Sequence, residues 1–117
     1  MKYMLLMYSD ESKAPKTAEE QQAAAPAWYA FAKETEAAGV FVGNNGLSPI
    51  ADATTVRVRD GKTLTADGPF AETHEQLGGY YLLDCKDLDE AIGWAAKIPT
   101  AAYGSIEVRP LNQWSQK

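Results

Sequence analysis

The chain has 117 residues, 45% of them apolar, with 11 basic against 16 acidic side chains and a net charge of −5. That length suits one domain with a modest core, and no run of about 18 apolar residues is present to span a membrane. Beyond the spaced pair Arg57 and Arg59 there is no Lys/Arg cluster, so neither a nucleic-acid backbone nor an anionic membrane surface fits as partner.

A lone cysteine, Cys85, cannot form an internal disulfide or a cysteine-rich metal cage and reads as a small apolar residue at a strand end. Residues 2–8 are basic then apolar, but Ser9-Asp10-Glu11 interrupts them too early for a secretory signal. The expected location is the cytoplasm. The same seven residues form an apolar run of strand length, predicted to be central in a sheet.

Residues 9–16, with Pro15, form a polar loop long enough to reach over a pocket mouth. Thr17-Ala18-Glu19-Glu20 is a capping box that starts a helix running to about Ala38. Trp28, Phe31, Thr35 and Ala38 share the face expected to lie on the sheet. Pro26 predicts a kink or break near Ala24 or Ala25, and Gly39 the stop. Val40-Phe41-Val42 is the next strand, with Gly43-Asn44-Asn45-Gly46 opening a loop that continues through Pro49.

Residues 54–59 alternate, with Val56 and Val58 on one face and Arg57 and Arg59 on the other. Asp60-Gly61 is a strong hairpin turn, and residues 62–65 make the return strand. A strand at residues 79–84 leads to a helix capped at Asp87. Its expected apolar face is Leu88, Ala91, Ile92, Ala95 and Ile98, and Pro99 ends it. The last strand covers residues 105–111, with Ile106 and Val108 inward and Glu107 and Arg109 outward. A polar tail from Asn112 carries Trp114, whose isolation suggests packing against a second subunit.

A doubled strand, helix, strand order separated by a hairpin predicts an α+β fold. It is the ferredoxin-like split βαβ arrangement with an inserted β-hairpin, an antiparallel sheet carrying two helices on one face. Apolar residues on both sides of the strands, counting Tyr3, Leu5, Met7, Tyr80 and Leu82, call for a partner on the other face.

The segment 67–79 gathers the sole histidine, three carboxylates and three glycines between two strands. Asp67-Gly68-Pro69 is a turn in which glycine accepts positive φ and proline restricts the chain around it. The stretch Asp67-Gly68-Pro69-Phe70, with Glu72-Thr73, Gln76-Leu77-Gly78-Gly79-Tyr80-Tyr81 and Asp84, resembles the signature of the DGPF-motif branch of the YCII-related family. The likeness extends to residues 1–8, 55–62, 87–91 and 107–110 and so spans nearly the whole chain. It implies a homodimer, two subunits packing sheet to sheet as a dimeric α+β barrel, and it implies no cofactor. Most members of that family have no assigned activity. Some relatives act on chlorinated aromatic diols through a histidine near the first helix and an aspartate, and no histidine precedes His74 here.

Asp67 is the leading site candidate, as acid, base or polar anchor, against the plainer reading of a turn-forming aspartate. His74, the sole histidine and so the residue type best suited to general acid–base work, is a weaker catalytic candidate, with Asp67, Glu72 or Glu75 able to orient it. Phe70 and Glu72 of the motif join Tyr80 and Tyr81 as ligand-binding candidates. The two tyrosines must face opposite sides of their strand, so at most one lines a given pocket. Arg57 and Arg109, and Arg59 beside them, are able to clamp an anion, with Asp60 and Glu107 as ordinary ion-pair partners. One histidine and one cysteine make metal binding improbable. No phosphate-cradling glycine pattern and no nucleophile elbow is present. The expectation is a small-molecule binder or enzyme with a cleft near Asp67. The competing expectation is a non-catalytic regulatory module associated with an extracytoplasmic-function sigma factor.

Overall fold

A computed structural model describes residues 1–115 of the chain. Six strands and two helices follow one another as β1 (Lys2–Ser9), α1 (Ala18–Ala37), β2 (Phe41–Gly46), β3 (Thr54–Arg59), β4 (Lys62–Asp67), β5 (Gln76–Asp84), α2 (Leu88–Lys97) and β6 (Ser105–Pro110). Strands β2-β5-β1-β6 form one antiparallel sheet, and β3-β4 a separate hairpin. With the hairpin set aside, this is the ferredoxin-like α+β order, in which β1 and β2 flank β5.

Alternation along the strands decides which side is core. Tyr3, Leu5 and Met7 of β1, with Tyr81 and Leu83 of β5, are buried against Phe31 and Thr35 of α1 and Ala91, Ala95 and Ile98. Val108 and Ile106 stand opposite Leu5 and Met7 on the same side. Met4, Leu6, Tyr8, Tyr80 and Leu82 point the other way and are only half-buried. Sheet and helices make a slab 19 Å thick, one layer on one layer, whose second sheet face no element among the described residues covers.

The helix starts follow the sequence closely. Thr17 Oγ1 accepts from the Glu20 amide at 3.0 Å while the Glu20 carboxylate accepts from the Thr17 amide at 3.3 Å. Asp87 caps α2 through the Glu90 amide at 2.9 Å. Gly39, at φ 73°, ends the first helix region in the left-handed conformation that glycine adopts without strain. Pro26 does not break α1, which runs unbroken from Ala18 to Ala37. Pro26 is exposed, so the carbonyl it leaves unpaired has water available.

Two further expectations are corrected. In α2, Leu88 and Ile92 are about half exposed, and the sheet side is built from Ala91, Ala95 and Ile98 with Trp94 packed against the core. Strand β2 continues through Gly43-Asn44-Asn45-Gly46, because β5 supplies Leu82, Tyr81, Tyr80 and Gly79 as register partners after an irregularity at Val42. Low intrinsic strand preference is overridden there by pairing.

Asp60 (φ 52°) and Gly61 (φ 73°) turn the hairpin with the two positive φ values that a type I′ turn requires. Nearly every hairpin residue is exposed. Its projection explains a radius of gyration of 16.2 Å, against about 13 Å for a compact chain of this size.

Cys85 is 2% exposed, and burial, assisted by the Glu90 carboxylate, pushes its thiol up to about 11 from the ordinary 9.0. The fold thus favours the neutral thiol. That contribution is complete below the ordinary value and is lost as pH rises through about 11. Native protein is expected to resist an aromatic disulfide reagent at about pH 8 and to react only on unfolding. Rapid labelling of the native protein would contradict this burial.

Candidate functional site

Where β1 ends, the chain enters a short 3-10 turn (Glu11–Lys13) that sits beside the Asn-Gly end of β2. Between this turn, the first half of α1 and the sheet lies a cleft of about 780 Å3. Its floor is sheet, Met7 and Tyr81. One wall is Trp28 and Gln21 of α1, the opposite one Asn44, Asn45, Gly46, Leu47 and Pro49, and the mouth is Glu11, Ser12, Pro15 and Lys16. Tyr103 closes one end. A second cavity of about 630 Å3 lies on α1 over Ala24 and Ala25 and shares Trp28, Gln21 and Pro15.

Glycine permits this floor. A Cβ on Gly79 would stand 2.7 Å from the Asn45 carbonyl and 2.9 Å from Met7 Cε, so a side chain there would force β2 away from β5.

The floor is an aromatic cluster. Phe31 meets Tyr81 edge to face with centroids 4.9 Å apart, and Trp28 lies parallel to Tyr81 at 6.5 Å. Burial raises the Tyr81 hydroxyl above its ordinary value. A hydrogen bond with Asn44 opposes the shift, and Glu36 adds to it. Tyr81 therefore presents a neutral phenol, able to donate or accept.

Hydrogen bonds fix the mouth. Glu11 Oε2 accepts from the Ile50 amide at 3.0 Å, and the Glu11 amide donates to Gln76 Oε1 at 3.0 Å. Gln76 Nε2 donates to the Thr73 carbonyl at 2.6 Å, and Ser105 Oγ to Glu75 Oε1 at 2.8 Å. Asp10 accepts from both the amide and the hydroxyl of Ser12, at 2.9 and 2.6 Å. These bonds hold its carboxyl below the usual range, with smaller help from Lys13 and His74.

Of the residues singled out from sequence, Tyr81 lines the cleft. Tyr80 faces the open side of the sheet, where its hydroxyl accepts from Asn45 Nδ2 at 2.9 Å. Asp67 is exposed at the end of β4, and Gly68 beside it (φ 92°) closes the hairpin root by donating to the Ala53 carbonyl at 2.7 Å. Phe70 is 77% exposed, and Glu72, Arg57 and Arg109 are exposed as well. His74 is exposed and within electrostatic reach of Asp10, and it forms no hydrogen bond with Asp67, Glu72 or Glu75. Neither Asp60 nor Glu107 is paired with an arginine among the described residues. No three metal-ligating side chains cluster among them either.

By sequence pattern Trp28 reads as core and Asn44-Asn45 as loop, so neither stands out as site-lining. The available signal was the Pro15 loop, which anticipated a covered mouth.

The YCII-related domain model matches residues 1–115. An uncharacterized protein of Rhizobium meliloti (strain 1021) is 41% identical over 114 residues, covering 95% of this chain and 92% of that protein.

Proposed function

The chain belongs to the YCII-related family, and on that premise we propose that it acts as a cytoplasmic homodimer of the DGPF type that binds or transforms a small aromatic molecule without a cofactor. The observation that carries this reading is the cleft walled by Trp28 and Tyr81, apolar and aromatic with a few placed polar groups, as small-molecule sites are. Dimer formation would cover the half-buried apolar residues of the open sheet face and close a barrel.

Asp67 enters as a candidate acid, base or polar anchor. In its support, the loop that follows it ends in Glu75 and Gln76, which are bonded to Ser105 and to the mouth turn. The test is a metabolite library screened by thermal shift on wild type, Trp28→Ala and Asp67→Asn. Stabilising compounds should lose at least about tenfold in affinity in Trp28→Ala, with loss of stacking area. If no compound stabilises wild type, or if hits ignore Trp28→Ala, the cleft is not the site. Hits indifferent to Asp67→Asn remove Asp67 from it.

One observation favours the second reading, a regulatory module for an extracytoplasmic-function sigma factor. Val56, Val58, Leu64 and Phe70 expose 50–77% of their surface on the hairpin and the loop after it. A regulator would give no metabolite hit and would bind such a factor through the hairpin face that carries Val56 and Val58, Leu64 lying on the opposite face beside Arg57, so that Val58→Lys abolishes the complex.

A further inference from the structure

We infer that the ligand of this cleft is a planar aromatic monoanion, its ring against Trp28 and its carboxylate or phenolate oxygen on the Lys16 ammonium. The inference rests on the small-molecule reading above and names the chemistry of that ligand.

Two charged side chains line the cleft, Glu11 and Lys16. They are not equivalent. Glu11 is held, one carboxylate oxygen accepting the Ile50 amide at 3.0 Å. Lys16 makes no ion pair or hydrogen bond among the described residues, so its charge is available to a guest. At the start of α1 the capping box engages the Thr17 and Glu20 amides.

Gln21 supplies the second polar contact. It lies seven residues before Trp28 and so on the same face of α1, and its side-chain amide likewise has no partner among the described residues. An ammonium with an amide close by is a donor pair suited to one anionic oxygen or to a carboxylate.

Planarity follows from Trp28. Its ring lies parallel to Tyr81, and it lines both the main cleft and the more open one beside Ala24 and Ala25, small residues that leave room for a flat guest. A flat guest covers more of such a wall than a branched one and gains offset stacking in addition.

The charge is limited to one. Lys16 as the single cation among the described lining residues, with the Glu11 carboxylate at the mouth and a net charge of −5 on the chain, disfavours nucleotides and other polyanions.

Naphthoate and its neutral counterpart naphthamide, titrated calorimetrically into the whole protein, test this. Wild type is expected to bind naphthoate about fivefold to tenfold more tightly than naphthamide, the range of one partly exposed charge-assisted contact. Lys16→Ala should erase that preference, leaving naphthamide within about twofold, and Lys16→Arg should restore it. Trp28→Ala should weaken both probes. If wild type binds both equally, or if Lys16→Ala leaves the preference intact while Trp28→Ala still weakens both, the monoanion assignment is overturned and the aromatic cleft stands. If neither probe binds wild type, the cleft reading fails and the inference with it.

Discussion

Phe31→Ala is expected to destabilise the fold by about 3–5 kcal/mol, the range for emptying a fully buried phenylalanine site. Phe31 is 1% exposed and stands edge-on to Tyr81 (4.9 Å, 86°) and Trp94 (6.1 Å, 83°), joining α1, the sheet and α2 at one point. Lost transfer energy, the cavity left behind and two aromatic contacts all fall on one substitution. A domain of this size has only about 5–15 kcal/mol in hand, so much of the population should unfold at modest urea. Phe31→Leu, which keeps most of the volume, should cost clearly less. Equal urea midpoints for wild type and Phe31→Ala would mean that α1 is not anchored here. Because Tyr81 is both Phe31's neighbour and the floor of the cleft, the alanine variant should also lose ligand where it still folds.

That coupling shows which parts of the molecule can be read from residues alone. Capping and turns are local chemistry, and Thr17 with Glu20, Gly39 and Asp60-Gly61 stand where their residue types require. Element order is legible for the same reason, since each element carries its own period and its own stop. Expectations that weigh local preference against pairing or packing fare worse. Pro26 is tolerated because its side of α1 is exposed while Phe31 and Thr35 hold the same helix to the sheet. Residues 43–46 become strand because Tyr80 and Tyr81 lie in register beside them.

The cleft is harder still to see in sequence. Its lining comes from the stretch around Lys16, from Trp28, from residues 44–49, from Tyr81 and from Tyr103. Each has an ordinary reading by itself, and only the sheet order brings them together. The motif at residues 67–70 is conspicuous because its turn chemistry is dense, yet in a single subunit it shapes the root of the hairpin and does not line the cleft.

Leu6→Lys is expected to convert the proposed dimer into a monomer. On the face that the helices leave open, Leu6 stands opposite Tyr80 on one side and Glu107 on the other, while Met4 stands opposite Leu82 and Arg109. Lysine is chosen over glutamate because Glu107 is directly across the strand, so the lone subunit has a counter-ion for the new charge and should keep its fold. In a sheet-to-sheet dimer the same lysine enters the contact twice, once from each subunit, and each must lose water in an apolar layer. That costs several kcal/mol, enough to weaken association at least about a hundredfold. Sedimentation equilibrium should show wild type as a dimer and Leu6→Lys as a monomer with an unchanged circular dichroism spectrum. Wild type that stays monomeric at tens of micromolar would overturn the barrel. The monomer also reports on the site. Trp28 and Lys16 line the cleft together within a single subunit, so Leu6→Lys is expected to still bind naphthoate through them. Loss of binding together with loss of the dimer would show that the partner's surface, on which Arg109 lies, completes the site.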